Sequence, residues 1–284
     1  MRQLQHIREK FFTGLKNEYP ESELESMFEL LINRYGLLPE KAEKDKMEQD
    51  HFQDQEFEEA LSRLKKYEPI QYILGEAIFY GRNFKVNSNV HVPRIETETM
   101  VQWVIEDFPQ LLQNNSRALS LLDIGTGSGL LPITLGKELA IETTAVDLSP
   151  QALEVAKENA RMHDVNVEFI EGDVLKWDKL PNKFDIIVSN PPYVLEKAKK
   201  DVQRKILDHE PFMALYVKDE DPMLFNRKIA QLAKESLAPH GLVYVEINTY
   251  LGAETAEVFA ENGFKSEIRK DVFGNDRTLK AYRQ

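Results

Sequence analysis

Leu119-Ser120-Leu121-Leu122-Asp123-Ile124-Gly125-Thr126-Gly127-Ser128-Gly129 joins an apolar run of strand length to three glycines at alternate positions. Leu130 to Leu139 continue it as an apolar helix, so the stretch reads as strand, glycine loop, helix. Glycine is needed where the backbone turns sharply and a ligand must lie against it with no Cβ in the way. The Gly-x-Gly-x-Gly spacing differs from the Gly-x-Gly-x-x-Gly of dinucleotide sites, which makes a pyrophosphate cradle the weaker functional reading. The bland reading is a tight turn between two buried elements.

The next segments decide between them. Ala145-Val146-Asp147 ends a second strand on a carboxylate 18 residues past Gly129, where an open α/β sheet holds the acceptor for ribose hydroxyls. Ser149 and Pro150 then read as helix cap and first turn, which fixes the direction of Asp147. Gly172-Asp173 follows a third strand and is expected beside an adenine edge; a plain helix cap is the alternative for both aspartates. The cofactor-binding candidates are Asp123, Gly125, Thr126, Gly127, Gly129, Asp147, Leu148, Asp173, Val174 and Asn190.

From Thr97 onward strands and helices alternate, as a mostly parallel sheet with helices on both faces requires. Strands are expected at 120–124, 143–147, 167–170, 185–189 and 242–247, with a closing hairpin at 265–270 and 278–282, seven in all. Helices are expected at 130–139, 151–163 and 223–237. Upstream, Leu4, Ile7, Phe11 and Leu15 fall on one helical face. A second helix is expected to start at a Ser22–Glu25 capping box and to end at Gly36 and Pro39, and Phe57, Leu61 and Leu64 form a third stripe. Between Ile70 and Val92 the aromatic and β-branched texture reads as a strand pair. The expected division is a small helical bundle over 1–68 for substrate recognition, a β-hairpin linker over 69–95 and a catalytic domain over 96–284.

Composition narrows the class. The formal charge is −12, and proteins that live on nucleic acid usually carry a cationic footprint, so direct nucleic-acid binding is not expected. No apolar run approaches the ~18 residues of a membrane span, and Met1 to Leu15 lack the features of a secretory signal, so a cytoplasmic location is expected. The absence of cysteine agrees with a reducing compartment. His91, His163, His209 and His240 show no metal-ligand spacing, and no metal is assigned.

The chemistry sits at the end of the strand Phe184 to Ser189, which stops at Asn190-Pro191-Pro192-Tyr193. Two prolines fix φ near −65° and donate no hydrogen bonds, so the Pro191 carbonyl can be aimed rigidly into a cleft. The Asn190 side-chain oxygen is a second acceptor, and a planar NH₂ group has two hydrogens to give. Tyr193 would wall a flat substrate group. Two such acceptors would orient a planar NH₂ group; adenine, cytosine, guanine and glutamine all carry one. The basic residues Lys197, Lys199, Lys200, Arg204 and Lys205 follow, as a partner surface or a solvated helix face. For Arg94 and Glu98 an ion pair and a substrate contact are both open.

Residues 115–284 resemble the class I S-adenosylmethionine-dependent methyltransferases, with their Rossmann-like sheet; there an acidic residue like Asp123 faces the cationic cofactor. Nearly the whole chain is similar to the release-factor glutamine methyltransferases of the HemK/PrmC type. The resemblance lies in Pro69 to Gly75 with Phe79-Tyr80-Gly81, Val92 to Glu98, Ser189 to Tyr193, Glu210-Pro211 with Ala214-Leu215, and Gly274 to Arg277. It implies S-adenosyl-L-methionine as cofactor and N(5)-methylation of the glutamine in the Gly-Gly-Gln tripeptide of peptide chain release factors. It also implies Asn190 and Pro191 as the amide-holding groups and Asp147 on the ribose. Ile95 stands where the family usually has proline, and Tyr216-Val217-Lys218-Asp219 replaces the usual glycine-rich run. The alternatives are glutamine methylation of a ribosomal protein, N-methylation of an exocyclic amine in nucleic acid, and a non-catalytic cofactor-binding protein.

Overall fold

A computed structural model of the chain describes residues 2–34, 49–115, 117–197 and 209–283. The expected helix end at Gly36 and Pro39, and the basic residues Lys199 to Lys205, lie outside the described residues. The chain forms two compact units. The described residues up to Gly75, with His209, make one; the rest make the other.

The first unit is helical, with helices Arg2–Leu15, Glu21–Arg34, Gln49–Leu64 and Ile70–Leu74. Ile7, Phe11 and Leu15 bury one face of the first helix against Phe28, Leu31, Phe57 and Leu64. The amphipathic stripes therefore pack as expected, and apolar burial of about 25 cal/mol per Å² holds the bundle. Two local expectations fail. The second helix starts at Glu21, with the Glu23 and Leu24 N–H groups donating to the Pro20 carbonyl, so Ser22 lies inside the first turn and is no cap. Ile70 to Leu74 is a helical turn rather than a strand, because Pro69 starts it and Gly75, at φ 72°, stops it.

The second unit opens on a hairpin, β1 (Glu76–Phe79) and β2 (Arg82–Lys85), turned by Tyr80 and Gly81 at φ 48° and 70°. A sheet of seven strands follows: β3 (Ser120–Ile124), β4 (Glu142–Asp147), β5 (Val167–Glu171), β6 (Phe184–Ser189), β9 (Leu237–Glu246), β10 (Phe264–Lys270) and β11 (Asp276–Arg283). A two-strand pair, β7 (Val194–Leu195) and β8 (Tyr216–Val217), lies outside it. The order is β10-β11-β9-β6-β3-β4-β5, parallel except that β11 runs antiparallel to both its neighbours.

All seven expected strands are present, as are helices Leu130–Leu139, Pro150–His163 and Leu224–Ser236. Helices Glu98–Gln113 and Gly252–Glu261 were not foreseen; the first carries Pro109 inside it. Apolar clusters on both faces, around Ile187 and Val245 on one and Trp103 and Ile186 on the other, cover the sheet with helices. Among the described residues no helix is long and apolar enough to cross a membrane.

Strand order reverses between β3 and β6. Connections from β3 leave toward β4 and those from β6 toward β9, which opens a crevice at their carboxyl ends. Asn159, fully buried on helix Pro150–His163, holds the hairpin to that end of the sheet. Its oxygen accepts from the Lys85 N–H at 2.7 Å, and its Nδ2 donates to the carbonyls of Lys85 at 3.0 Å and Ser128 at 2.8 Å. Replacing Asn159 by alanine leaves three backbone groups without their partner, one buried and two half-buried, and the expected loss in urea unfolding is about 2 to 3 kcal/mol at ~1 kcal/mol per bond. A loss below about 1 kcal/mol would show that the groups find other partners.

Candidate active site

The register of β3 and β6 sets Ile124 opposite Ser189, and the Ser189 hydroxyl donates to the Ile124 carbonyl at 2.7 Å. The next residues, Gly125 and Asn190, therefore leave adjacent parallel strands about 4.8 Å apart. The glycine loop and the Asn190-Pro191-Pro192-Tyr193 turn flank one crevice.

The loop is fixed by backbone bonds. Gly125 and Thr126 N–H groups donate to the Val146 carbonyl at 2.8 and 3.0 Å. Gly125 and Gly127 have φ of 76° and 55°, and a Cβ on either would meet no protein atom, so both face open space. Gly129 is different: at φ 81° its Cβ would stand 2.8 Å from Ile133 Cδ1, so it is glycine for helix packing. Asp147 accepts from Gly127 N–H at 2.8 Å through one oxygen and from Ser149 N–H at 2.9 Å through the other. Burial raises its pKa against these backbone bonds. The expected Ser149 cap is present, with its hydroxyl accepting from Ala152 N–H at 3.1 Å.

Asp123 is buried to 1% exposure at the end of β3, and neither oxygen has a hydrogen-bond partner among the described residues. Burial pushes its pKa up to about 7; the nearby Thr126 hydroxyl opposes this without reaching hydrogen-bond geometry, and the Asp147 charge adds to it. An unpartnered buried carboxylate beside glycines that face open space fits a cationic ligand laid on the loop. Leu148 is half exposed beside Asp147. Asp173 caps the turn Val174–Lys176 through Leu175 N–H at 3.1 Å and pairs with Lys176 at 3.1 Å, while Gly172 N–H donates to the Asp147 carbonyl at 2.9 Å. The strand ends of β4 and β5 are thus tied together beside the loop.

Around the second motif lies a polar network that the sequence reading missed. Asn190 Nδ2 donates to the Thr97 hydroxyl at 3.4 Å, and that hydroxyl donates to Glu246 Oε2 at 2.7 Å. Tyr193 donates its hydroxyl to Glu246 Oε1 at 2.8 Å, and Arg277 donates to the Tyr193 oxygen at 3.4 Å. Arg277 also bonds Asp271 at 3.0 Å and Thr249 at 3.3 Å, and Asn248 Nδ2 holds the Tyr193 carbonyl at 3.1 Å. Burial raises the pKa of Glu246 against the Thr97 and Tyr193 hydrogen bonds, and burial with the adjacent Glu246 charge raises that of Tyr193. Thr97 and Glu246 stand 149 residues apart, each unremarkable in its own segment, so only the fold reveals them.

Arg94 pairs with Glu210 at 2.6 Å, not with Glu98, whose carboxylate accepts the Tyr80 N–H at 2.8 Å. Glu210 also accepts the Val92 N–H at 3.2 Å and lies 2.5 Å from His91 Nδ1. Burial pushes the Glu210 pKa up, but His91, Arg94 and Val92 outweigh it and the net shift is downward. Ile95, which stands where the family usually has proline, is exposed, and Tyr216-Val217 forms β8 against Val194-Leu195. Tyr250, Val272 and Phe273 also stand exposed, on the two loops that Arg277 joins. An open depression lined by Ala256, Ala260, Phe264 and Tyr282 lies at the start of β10, at the opposite end of the sheet from these groups.

A doubly wound, mostly parallel sheet with a glycine loop and the Asn190-Pro191-Pro192-Tyr193 turn at its switch point is the layout of the Rossmann-like methyltransferases. The family described as "Methyltransferase small domain" matches residues 106–215. A methyltransferase from Pyrococcus furiosus shares the fold, at 18% identity and a TM-score of 0.50, over 72% of this chain and 90% of that one. The release factor glutamine methyltransferase of Flavobacterium psychrophilum is 41% identical over 98% of both chains. That of Bacteroides thetaiotaomicron is 43% identical over 80% of this chain and 81% of its own. The chain belongs to the release factor glutamine methyltransferase family.

Asp123 gives this site a pH signature in the ligand-free protein. Its folded pKa lies above the unfolded value, so the folded state holds the extra proton between about pH 4 and 7, and stability falls as pH rises through that window. Asp123→Asn is expected to melt increasingly above the parent as pH rises from 4 to 8. A gap that does not change with pH would contradict the buried, unpartnered carboxylate.

Proposed function

We propose that the chain transfers a methyl group to the side-chain nitrogen of the glutamine in the Gly-Gly-Gln motif of peptide chain release factors, with S-adenosyl-L-methionine as donor. One observation carries the reading: adjacent strand ends bring Gly125 and Asn190 into the same crevice. Family membership supplies the substrate, and the relatives' link to translation supports a cytoplasmic location. The exposed Tyr250, Val272 and Phe273 suit a protein substrate, and the net charge of −12 argues against nucleic acid.

When bound, the cofactor supplies a methyl group on a sulfonium. Asp123 would face that cationic molecule, Asp147 its ribose, and Asp173 with Val174 its adenine edge. Gly125, Thr126, Gly127 and Gly129 form the floor, with Leu148 beside them. Asn190 Oδ1 and the Pro191 carbonyl accept the two hydrogens of the glutamine NH₂, Pro192 locks the turn, and Tyr193 walls the amide plane. An amide nitrogen is a poor nucleophile because its lone pair is delocalised, so placement must compensate. Near-attack geometry is worth roughly 7 to 11 kcal/mol in the best intramolecular cases. Positive charge grows on the nitrogen as it is methylated, so both acceptors gain more in the transition state than in the ground state. The reading also keeps residues 1–68 as the recognition domain, 69–95 as the hairpin linker and 96–284 as the catalytic domain.

Labelled S-adenosyl-L-methionine offered with release factor, ribosomal protein and DNA tests the assignment. Label is expected in release factor alone, at its Gly-Gly-Gln glutamine, and Asn190→Ala is expected to lower kcat by about a hundredfold or more. Label confined to ribosomal protein or DNA would refute the substrate while leaving the fold intact.

A further inference from the structure

The Asn190 side chain has two ends of opposite polarity. Only its oxygen can receive a substrate N–H; its NH₂ group would meet the substrate NH₂ donor to donor. Something must hold the amide the right way round.

The hydrogens around it settle the direction. Glu246 is 1% exposed, and each carboxylate oxygen accepts one hydroxyl: Oε2 from Thr97 at 2.7 Å, Oε1 from Tyr193 at 2.8 Å. Tyr193 is held in this sense because its oxygen accepts from Arg277. A threonine hydroxyl has one hydrogen. With it committed to Glu246, Thr97 offers Asn190 lone pairs alone, so Nδ2 turns to Thr97 at 3.4 Å and Oδ1 is left for the crevice.

We infer that Glu246 is a positioning residue which, through Thr97, makes Asn190 present its oxygen to the substrate amide. The inference rests on the reading of the site as a methyltransferase acting on an NH₂ group. A glutamine at 246 has nearly the same shape but can donate to the Thr97 oxygen. That frees the Thr97 hydrogen for Asn190 Oδ1 and lets the amide turn over. Arg277 and Asp271 extend the same chain of contacts and hold Tyr193 in place.

The test combines turnover with a signal that needs no substrate. Glu246→Gln and Thr97→Val are each expected to lower kcat on release factor by about tenfold to a hundredfold. Glu246→Gln is expected to leave S-adenosylhomocysteine affinity unchanged in calorimetry, and Thr97→Ser, which restores the hydroxyl, to recover most of the kcat lost in Thr97→Val. In the ligand-free enzyme, Asn190 Nδ2 protons are expected to show nuclear Overhauser contacts to the Thr97 methyl that weaken in Glu246→Gln. Turnover within about twofold of the parent in both Glu246→Gln and Thr97→Val, or contacts unchanged in Glu246→Gln, overturns the inference. Failure of the parent to methylate release factor would refute the substrate reading alone, and the Overhauser contacts would then decide the orientation of Asn190 by themselves.

Discussion

The larger unit depends on how β3 and β6 pair. Ile124 sits opposite Ser189, and the hydroxyl bond between Ser189 and Ile124 reinforces the pairing at the point where both strands end. A slip of one residue would turn every side chain of either strand to the opposite face and separate the glycine loop from the Asn190 turn. Both strands are buried on both faces, Leu121, Leu122, Ile186 and Ile187 fully, so the core opposes such a slip. The crevice is a by-product of that pairing and of the reversal in strand order.

On this frame the two halves of the crevice use different physics. The half at the glycine loop relies on backbone: glycines with positive φ, N–H groups satisfied by carbonyls of the neighbouring strand, and one carboxylate left unpartnered. The half around Asn190 relies on side chains that are buried or half-buried. Burying polar groups is costly unless each is hydrogen-bonded. Asn190, Thr97, Glu246, Tyr193, Arg277 and Asp271 meet that requirement as a chain, with alternating donors and acceptors. Such a network gives direction as well as position, because each hydrogen can be used once.

The parts of the molecule that could be read from the sequence share a property: their signals are local. A strand running into Gly125 to Gly129, a cap at Ser149 and two prolines after Asn190 announce themselves within a dozen residues, and the sheet follows from their alternation with helices. Where local texture pointed the wrong way, a neighbouring residue prevailed. Ile70 to Leu74 carries β-forming side chains, but Pro69 and Gly75 frame a helical turn. Ser22 and Glu25 have capping-box spacing, yet Pro20 begins the helix earlier. The Thr97–Glu246 contact and the Glu210 cluster with His91 and Arg94 could not be read, since they join segments more than a hundred residues apart. Asp173 was open to two readings, an adenine contact or a cap, and in the ligand-free chain its carboxylate caps the next turn.

The most direct measurement is a crystal structure of the enzyme with S-adenosylhomocysteine and a peptide that carries the acceptor glutamine. The account predicts the glutamine NH₂ bonded to both Asn190 Oδ1 and the Pro191 carbonyl, with the cofactor's sulfur between that nitrogen and the Gly125 to Gly129 loop. A glutamine held elsewhere, or an Asn190 oxygen turned toward Thr97, would contradict it.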